Sequence, residues 1–257
     1  MESIQPLTPV EGVSELENGS CFIVGTPIAE RDDMTQRGIR TLQGADLVVT
    51  SDERYAAGLL KRFALAKKLL GISEEIEEDV IEMVLERLKE GKRIVILSDP
   101  SFRFSPSLSR LIEAVRTGGL EPRVVPGVDL IATALAMSGF DSQRYAVVGA
   151  IPSRRDAREE FVESLVERTE TLVLPGGLSR IIPALATLAD KMPERYGVLI
   201  LRPTVPGEKI VRGNLAEIST GFAGKKFQGD FVVILAPDLS QDEEQEIEYY
   251  QEGREEE

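Results

Sequence analysis

Short apolar runs alternate with helix-forming stretches through the first half of this chain, and that rhythm leaves few folds open. The runs are Cys21–Thr26, Asp46–Thr50, Arg93–Ser98 and Arg123–Val125. A strand followed by a helix and another strand points to a parallel sheet, because parallel neighbours need a crossover long enough to hold a helix. The first helix is expected from about Asp33 to Gln43, with Asp32 or Asp33 as its cap, and a short second one from Tyr55 towards Ala64. The clearest helix spans Ser73 to Glu90: Ser73 caps it, acids fill its first turn, Ile76, Val80, Val84 and Leu88 form one stripe, and Gly91 stops it. Asp99-Pro100 turns the next strand into a loop before a helix around Leu108 to Arg116. Pro126-Gly127 ends the strand at Arg123–Val125, and a short apolar helix follows from Leu130 to Met137.

From Gln143 the pattern shifts. Strands are expected at Tyr145–Ala150, Thr171–Leu174, Val198–Leu201, Lys209–Arg212 and Phe231–Leu235, with helices from about Asp156 to Glu167 and Ser179 to Asp190. The pair Val198–Leu201 and Lys209–Arg212, joined through Pro203, Pro206 and Gly207, reads as an antiparallel hairpin. A mixed sheet in a second domain follows. The organisation expected is an N-terminal extension over 1–20, a mostly parallel Rossmann-like α/β domain over 21–126, a mixed-sheet α/β domain over 127–237, and a solvated acidic tail over 238–257.

The residues that are absent narrow the chemistry. Histidine does not occur among the 257 residues and Cys21 is the one cysteine, which excludes Ser-His-Asp and Cys-His catalysis, a disulfide framework, and zinc or iron–sulfur ligation by the usual sets. No metal is expected. Carboxylates, Arg, Lys, hydroxyls, backbone groups or an already activated cofactor must do the work. No run of 18 apolar residues occurs and the first twenty residues lack a signal-type apolar stretch, so the expectation is a cytoplasmic protein with no membrane partner. The formal charge of −14 is uneven: ten acids and one Arg between Asp238 and Glu257 give −9, leaving −5 for the body. Cations cluster at Lys61, Arg62, Lys67 and Lys68, at Arg154, Arg155 and Arg158, and at Lys225 and Lys226, either as wet surface or as phosphate contacts.

In an open α/β sheet, ligands bind beyond the carboxyl ends of the strands. Three loops meet that condition: Gly25-Thr26-Pro27, Ser98-Asp99-Pro100-Ser101 and Pro126-Gly127-Val128-Asp129. Each pairs a tight turn with exposed backbone. No Gly-rich phosphate loop of the dinucleotide or nucleoside-triphosphate type is present.

Residues 24 to 54 read VGTPIAERDDMTQRGIRTLQGADLVVTSDER. Thr26-Pro27-Ile28, Asp33-Met34-Thr35, Arg40, Asp46-Leu47, Asp52 and Arg54 stand in the order found at the opening of the tetrapyrrole methylase superfamily. RIVILSD (93 to 99), VVPGVDLIATALAMSGF (124 to 140), GAIPSRRDAR (149 to 158), the Ser179-Arg180 pair, VRGNLAE (211 to 217) and GDFVVILAP (229 to 237) keep that order onward. Over 21 to 237 the chain resembles this superfamily, and within it the branch that methylates a cytidine ribose 2′-hydroxyl in 16S ribosomal RNA.

The resemblance implies a homodimeric methyltransferase that uses S-adenosylmethionine, with ribosomal RNA or the small-subunit particle as partner. It implies a cofactor cleft between two α/β domains, bordered by Thr26 and Pro27, with Ser98, Asp99, Pro100 and Ser101 at its amino-acid end. Gly127, Val128 and Asp129 would lie close by, and Leu174, Pro175 and Leu201 on the adenosine side. Asp52, Arg54 and Asp99 are the candidates for assisting an acceptor hydroxyl, and Arg154, Arg155 and Arg180 for contacting substrate. Asp52 could equally cap a helix, and Arg54 could equally form a surface ion pair. Three segments depart from the branch's pattern: residues 98 to 106 lack its flexible glycine, Asp129 replaces a small hydroxyl, and residues 175 to 180 lack its acid and imidazole. A methylase of a corrinoid or porphyrin precursor, and a relative that keeps the fold as a non-catalytic binding module, are the alternatives these departures raise.

Overall fold

Strand and helix alternate strictly from Ser20–Gly25 (β1) and Gln36–Gln43 (α1) through Leu47–Thr50 (β2), Glu53–Arg62 (α2), Leu69–Gly71 (β3), Glu78–Lys89 (α3), Arg93–Ser98 (β4) and Pro106–Thr117 (α4) to Arg123–Val125 (β5). The computed structural model describes residues 19–73, 78–100, 104–149, 151–177, 181–223 and 230–238. It forms two compact units that divide between Asp129 and Leu130, so Gly127 to Asp129 go with the first unit rather than opening the second.

The five strands of the first unit are all parallel, in the order β3-β2-β4-β1-β5. Their side chains alternate between two apolar layers, as the period of two requires. Val24, Val48, Val95, Leu97 and Val125 meet Leu42 of α1 and Ala56, Leu59 and Leu60 of α2 on one face. Cys21, Ile23, Leu47, Val49, Ile94 and Ile96 meet α3 and α4 on the other. Burying each such aliphatic side chain contributes on the order of 2 kcal/mol, so both layers are strongly specified.

The start of α1 differs from expectation. Asp32 and Asp33 lie in a 3-10 turn over Arg31–Asp33, and α1 begins after Thr35, whose hydroxyl accepts a hydrogen bond from Gly38 N at 3.0 Å. In α3 the buried stripe is Ile81, Val84 and Leu88, with Val80 only partly covered. The expected first turn of α3, with Ile76, falls in 74–77, outside the described residues. β3 was not expected at all. Three residues between Lys68 and Ile72 carry no readable alternation, and only its parallel pairing to β2 makes it a strand.

The second unit comprises Leu130–Ser138 (α5), Tyr145–Val147 (β6), Arg155–Glu163 (α6), Thr171–Gly177 (β7), Ile181–Lys191 (α7), Tyr196–Leu201 (β8), Lys209–Asn214 (β9), Leu215–Phe222 (α8) and Asp230–Leu235 (β10). Its sheet runs β6-β7-β10-β8-β9 and is mixed: β6 and β7 are parallel, and the other pairs antiparallel. The β8–β9 hairpin has the expected pairing, with Leu201 opposite Lys209. One face of the sheet packs on α6, α7 and α8 through Leu172, Leu174, Leu199, Leu201, Phe231 and Val233, while α5 lies against β7 and β10. α8, which was not expected, starts at a capping box in which Asn214 and Glu217 satisfy each other's backbone N–H groups. Among the described residues no helix is long and apolar enough to cross a membrane.

Candidate functional site

The order of the parallel sheet places β1 beside β4, and the connections leaving these two strands depart in opposite directions. From β1 the chain passes to α1 on one face and reaches β2, whereas from β4 it passes to α4 on the other face and reaches β5. The loops after the two strands therefore leave on opposite faces, and open α/β sheets bind ligands in the crevice beyond the carboxyl ends of such a pair.

Three loops converge there. Thr26, 2% exposed, donates its hydroxyl to the carbonyl of Ser98 at 2.9 Å and so joins the β1 loop to the end of β4. Ser98 is as deeply buried, and its own hydroxyl donates to the Asp99 carbonyl at 2.9 Å. Gly127 brings in the third loop: a Cβ there would stand 3.2 Å from both Cα and O of Gly25, so a larger residue would require the backbone of one loop to shift by a few tenths of an ångström. Tyr55 on α2 donates its hydroxyl to Pro27 O at 3.1 Å, and Thr35 donates to Pro126 O at 3.3 Å. Neither Tyr55 nor Thr35 was selected from the sequence, although Thr35 stands in the quoted Asp33-Met34-Thr35 segment. Their positions after β1 and β2 were the available signal.

Thr26, Pro27, Ser98, Asp99, Pro100, Gly127, Val128 and Asp129 thus share one edge of the first sheet. The side chains of Thr26 and Ser98 hold the loops together. Asp99 and Pro100 are half-buried, and Asp129 is exposed. Ser101 lies outside the described residues. Of the two roles open to Asp52, the structure shows the cap: its Oδ1 accepts from Tyr55 N at 2.8 Å, and Thr50 Oγ1 accepts from Asp52 N at 3.1 Å. Arg54, one residue into α2, is exposed and has no ion pair among the described residues.

Leu174, Pro175 and Leu201 stand where β7 and β8 approach the carboxyl edge of the second sheet. All three are buried, the two leucines within that unit's core. Arg154 is exposed at the start of α6. Arg155 is bound to Glu159 one turn on at 2.7 Å, and this contact raises the guanidinium above its usual range and lowers the carboxylate. Arg180 lies outside the described residues.

An edge of this kind, made of backbone groups, small residues and one half-buried carboxylate, can orient a compact polar ligand without a phosphate loop. Comparison with known proteins gives the chain's relatives. Ribosomal RNA small subunit methyltransferase I of Thermotoga maritima is 29% identical over 222 residues, covering 85% of this chain and 98% of the relative. The protein of the same name from Escherichia coli O157:H7 is 27% identical over 233 residues, 88% of this chain and 80% of its own. Among solved structures, cobalt precorrin-4 methyltransferase superposes with a TM-score of 0.64 at 20% identity, over 87% of this chain and 97% of that one. Diphthine synthase superposes with a TM-score of 0.62 at 20% identity, over 85% and 90%. At that identity the likeness is one of fold. A family model described as Tetrapyrrole (Corrin/Porphyrin) Methylases matches residues 20–219. Because that match runs from the first strand into the eighth helix, across both units, the chain belongs to the tetrapyrrole (corrin/porphyrin) methylase family.

Proposed function

We propose that this chain is an S-adenosylmethionine-dependent methyltransferase that modifies a ribose 2′-hydroxyl of 16S ribosomal RNA. The observation that carries the reading is the junction of three strand-end loops at the β1/β4 crevice, tied by Thr26 to Ser98 and by the close approach of Gly127 to Gly25. The names of the curated relatives, matched over most of their length, support the RNA substrate.

The residues present fit such a cofactor. The close approach of Gly127 to Gly25, the small residues around it and the half-buried Asp99 carboxylate suit a folded zwitterion with a nucleoside end. When bound, it supplies a methyl group already attached to a sulfonium leaving group. Thr26, Pro27, Ser98, Asp99, Pro100 and the 127–129 turn would hold it. Asp99 has two possible tasks, attracting the cofactor's ammonium group and accepting the proton of the ribose hydroxyl. Asp52 already accepts the Tyr55 N–H, so it serves α2 first, and its catalytic part is limited to its other oxygen. Arg54 and Arg154, both exposed, would meet substrate phosphates. We place the active form as a homodimer in the cytoplasm, as the family resemblance implies.

The direct test is to incubate the full chain with methyl-labelled S-adenosylmethionine and either small ribosomal subunits isolated without this modification or a porphyrinogen. The reading expects label in RNA, recovered as an alkali-resistant dinucleotide because a 2′-O-methyl group blocks alkaline cleavage. Label only in the tetrapyrrole, or in neither, would overturn it.

A further inference from the structure

The carboxyl edge of the second sheet carries an RNA-backbone surface that reaches beyond Arg154; this inference rests on the RNA reading above. We infer that Arg154, Arg202 and Lys209 together form a track for the phosphodiester backbone of single-stranded RNA. The three come from different elements. Arg154 stands between β6 and α6, Arg202 follows β8 directly, and Lys209 opens β9 opposite Leu201. All three are exposed, and the side chains of Arg154 and Lys209 have no hydrogen-bond or ion-pair partner among the described residues. The edge from β6 to β9 crosses four strand spacings, about 19 Å at ~4.8 Å each, which is enough for several consecutive phosphates.

The loop that presents Arg202 is held in an unusual shape. Arg202 and Thr204 both have positive φ, 51° and 64°, a conformation that a β-branched residue such as Thr204 rarely adopts. Three contacts fix it. Arg202 donates to Pro206 O at 3.1 Å, Thr204 N donates to Glu208 at 2.8 Å, and the Arg202 guanidinium lies so close to Gly207 that a Cβ there would be 3.2 Å from Nη1. The Thr204 hydroxyl is enclosed and has no partner, leaving one polar group in the loop unsatisfied. A loop kept strained around an exposed guanidinium is expected where the guanidinium has a ligand to meet.

Among the described acids on this edge, Glu159 is paired with Arg155, while Glu208, which accepts from Thr204 N, and Asp156 keep their charge beside the track. At the opposite edge two arginines are occupied. Arg195 donates to the carbonyls of Arg168, Glu170 and Ala236, and Arg168 pairs with Glu170. A net charge of −14 makes non-specific attraction of RNA weak, so affinity must come from a local arrangement.

The test is fluorescence anisotropy with a fluorescein-labelled single-stranded RNA dodecamer of 16S sequence over a range of salt, using the full chain. The comparison is between wild type, the triple variant Arg154→Gln/Arg202→Gln/Lys209→Gln, and a charge-matched control, Lys61→Gln/Lys68→Gln/Arg116→Gln. Wild type should bind, and the edge variant should lose at least tenfold in affinity. The slope of log affinity against log salt should fall by about 2, from ~0.7 per phosphate contact, with the control unchanged. An equal loss in the control, an unchanged slope in the edge variant, or stronger competition by polyglutamate than by unlabelled RNA would overturn the track. Titration of the same proteins with S-adenosylmethionine separates the two claims: unimpaired cofactor binding beside failed RNA results leaves the methyltransferase reading standing, whereas absent cofactor binding in wild type removes that reading itself.

Discussion

Gly127 is the residue on which the crevice depends most simply. Its missing side chain allows the β5 loop to rest on Gly25, so Gly127→Val should push the two loops apart. The expected outcome is a loss of at least about tenfold in S-adenosylmethionine affinity, ~1.4 kcal/mol, with the circular dichroism spectrum retained. Asp52 offers a separation of roles. Asp52→Asn keeps a capping oxygen and should cost less than about 0.5 kcal/mol in urea unfolding, whereas Asp52→Ala should cost about 1 kcal/mol. If the Asn variant also keeps its methyl-transfer rate, the carboxylate is a cap and nothing more. Cys21 is buried on β1, and burial raises its thiol from 9.0 to about 12. Between those values the folded chain keeps a proton that the unfolded chain has lost, so this contribution to stability is present below pH ~9 and fades as pH rises towards about 12. Cys21→Ala should abolish that part of the alkaline loss, which paired urea midpoints at neutral and alkaline pH would measure.

At the level of elements, the sequence was most legible where period and length coincided. β1, β4 and β5, buried in parallel pairs and bounded by turn residues, were found at nearly their observed limits, and so was the β8–β9 hairpin. Where several polar residues compete for one cap, composition does not decide. Asp32 and Asp33 have the chemistry to start α1, yet they lie in the preceding 3-10 turn and Thr35 is the residue whose φ and ψ suit the cap. α8 was missed because its capping residue, Asn214, is also the last residue of β9. The Asn-Leu-Ala-Glu spacing to Glu217 was the signal that could have revealed it. Asn214→Ala should therefore destabilise the chain by about 1 kcal/mol and Glu217→Ala by less, readable as a lower urea midpoint with an unchanged slope.

For the whole molecule, the division into a parallel and a mixed sheet could be read in the sequence because the alternation of strand and helix gives way to the hairpin of Val198–Leu201 and Lys209–Arg212. The candidate site was legible in part. Its three loops follow from the rule that ligands sit at strand ends, whereas the reason for choosing the β1/β4 pair lies in strand order, which no local pattern encodes. Contacts between residues far apart in sequence, such as Thr26 with Ser98 and Tyr55 with Pro27, were invisible for the same reason. The central claim is that this edge binds a methyl donor, and calorimetric titration of the full chain with S-adenosylmethionine tests it most directly. The account predicts one site per chain, lost in Asp99→Arg while that variant unfolds at the wild-type urea midpoint. No heat of binding in wild type, or unchanged affinity in Asp99→Arg, would contradict it.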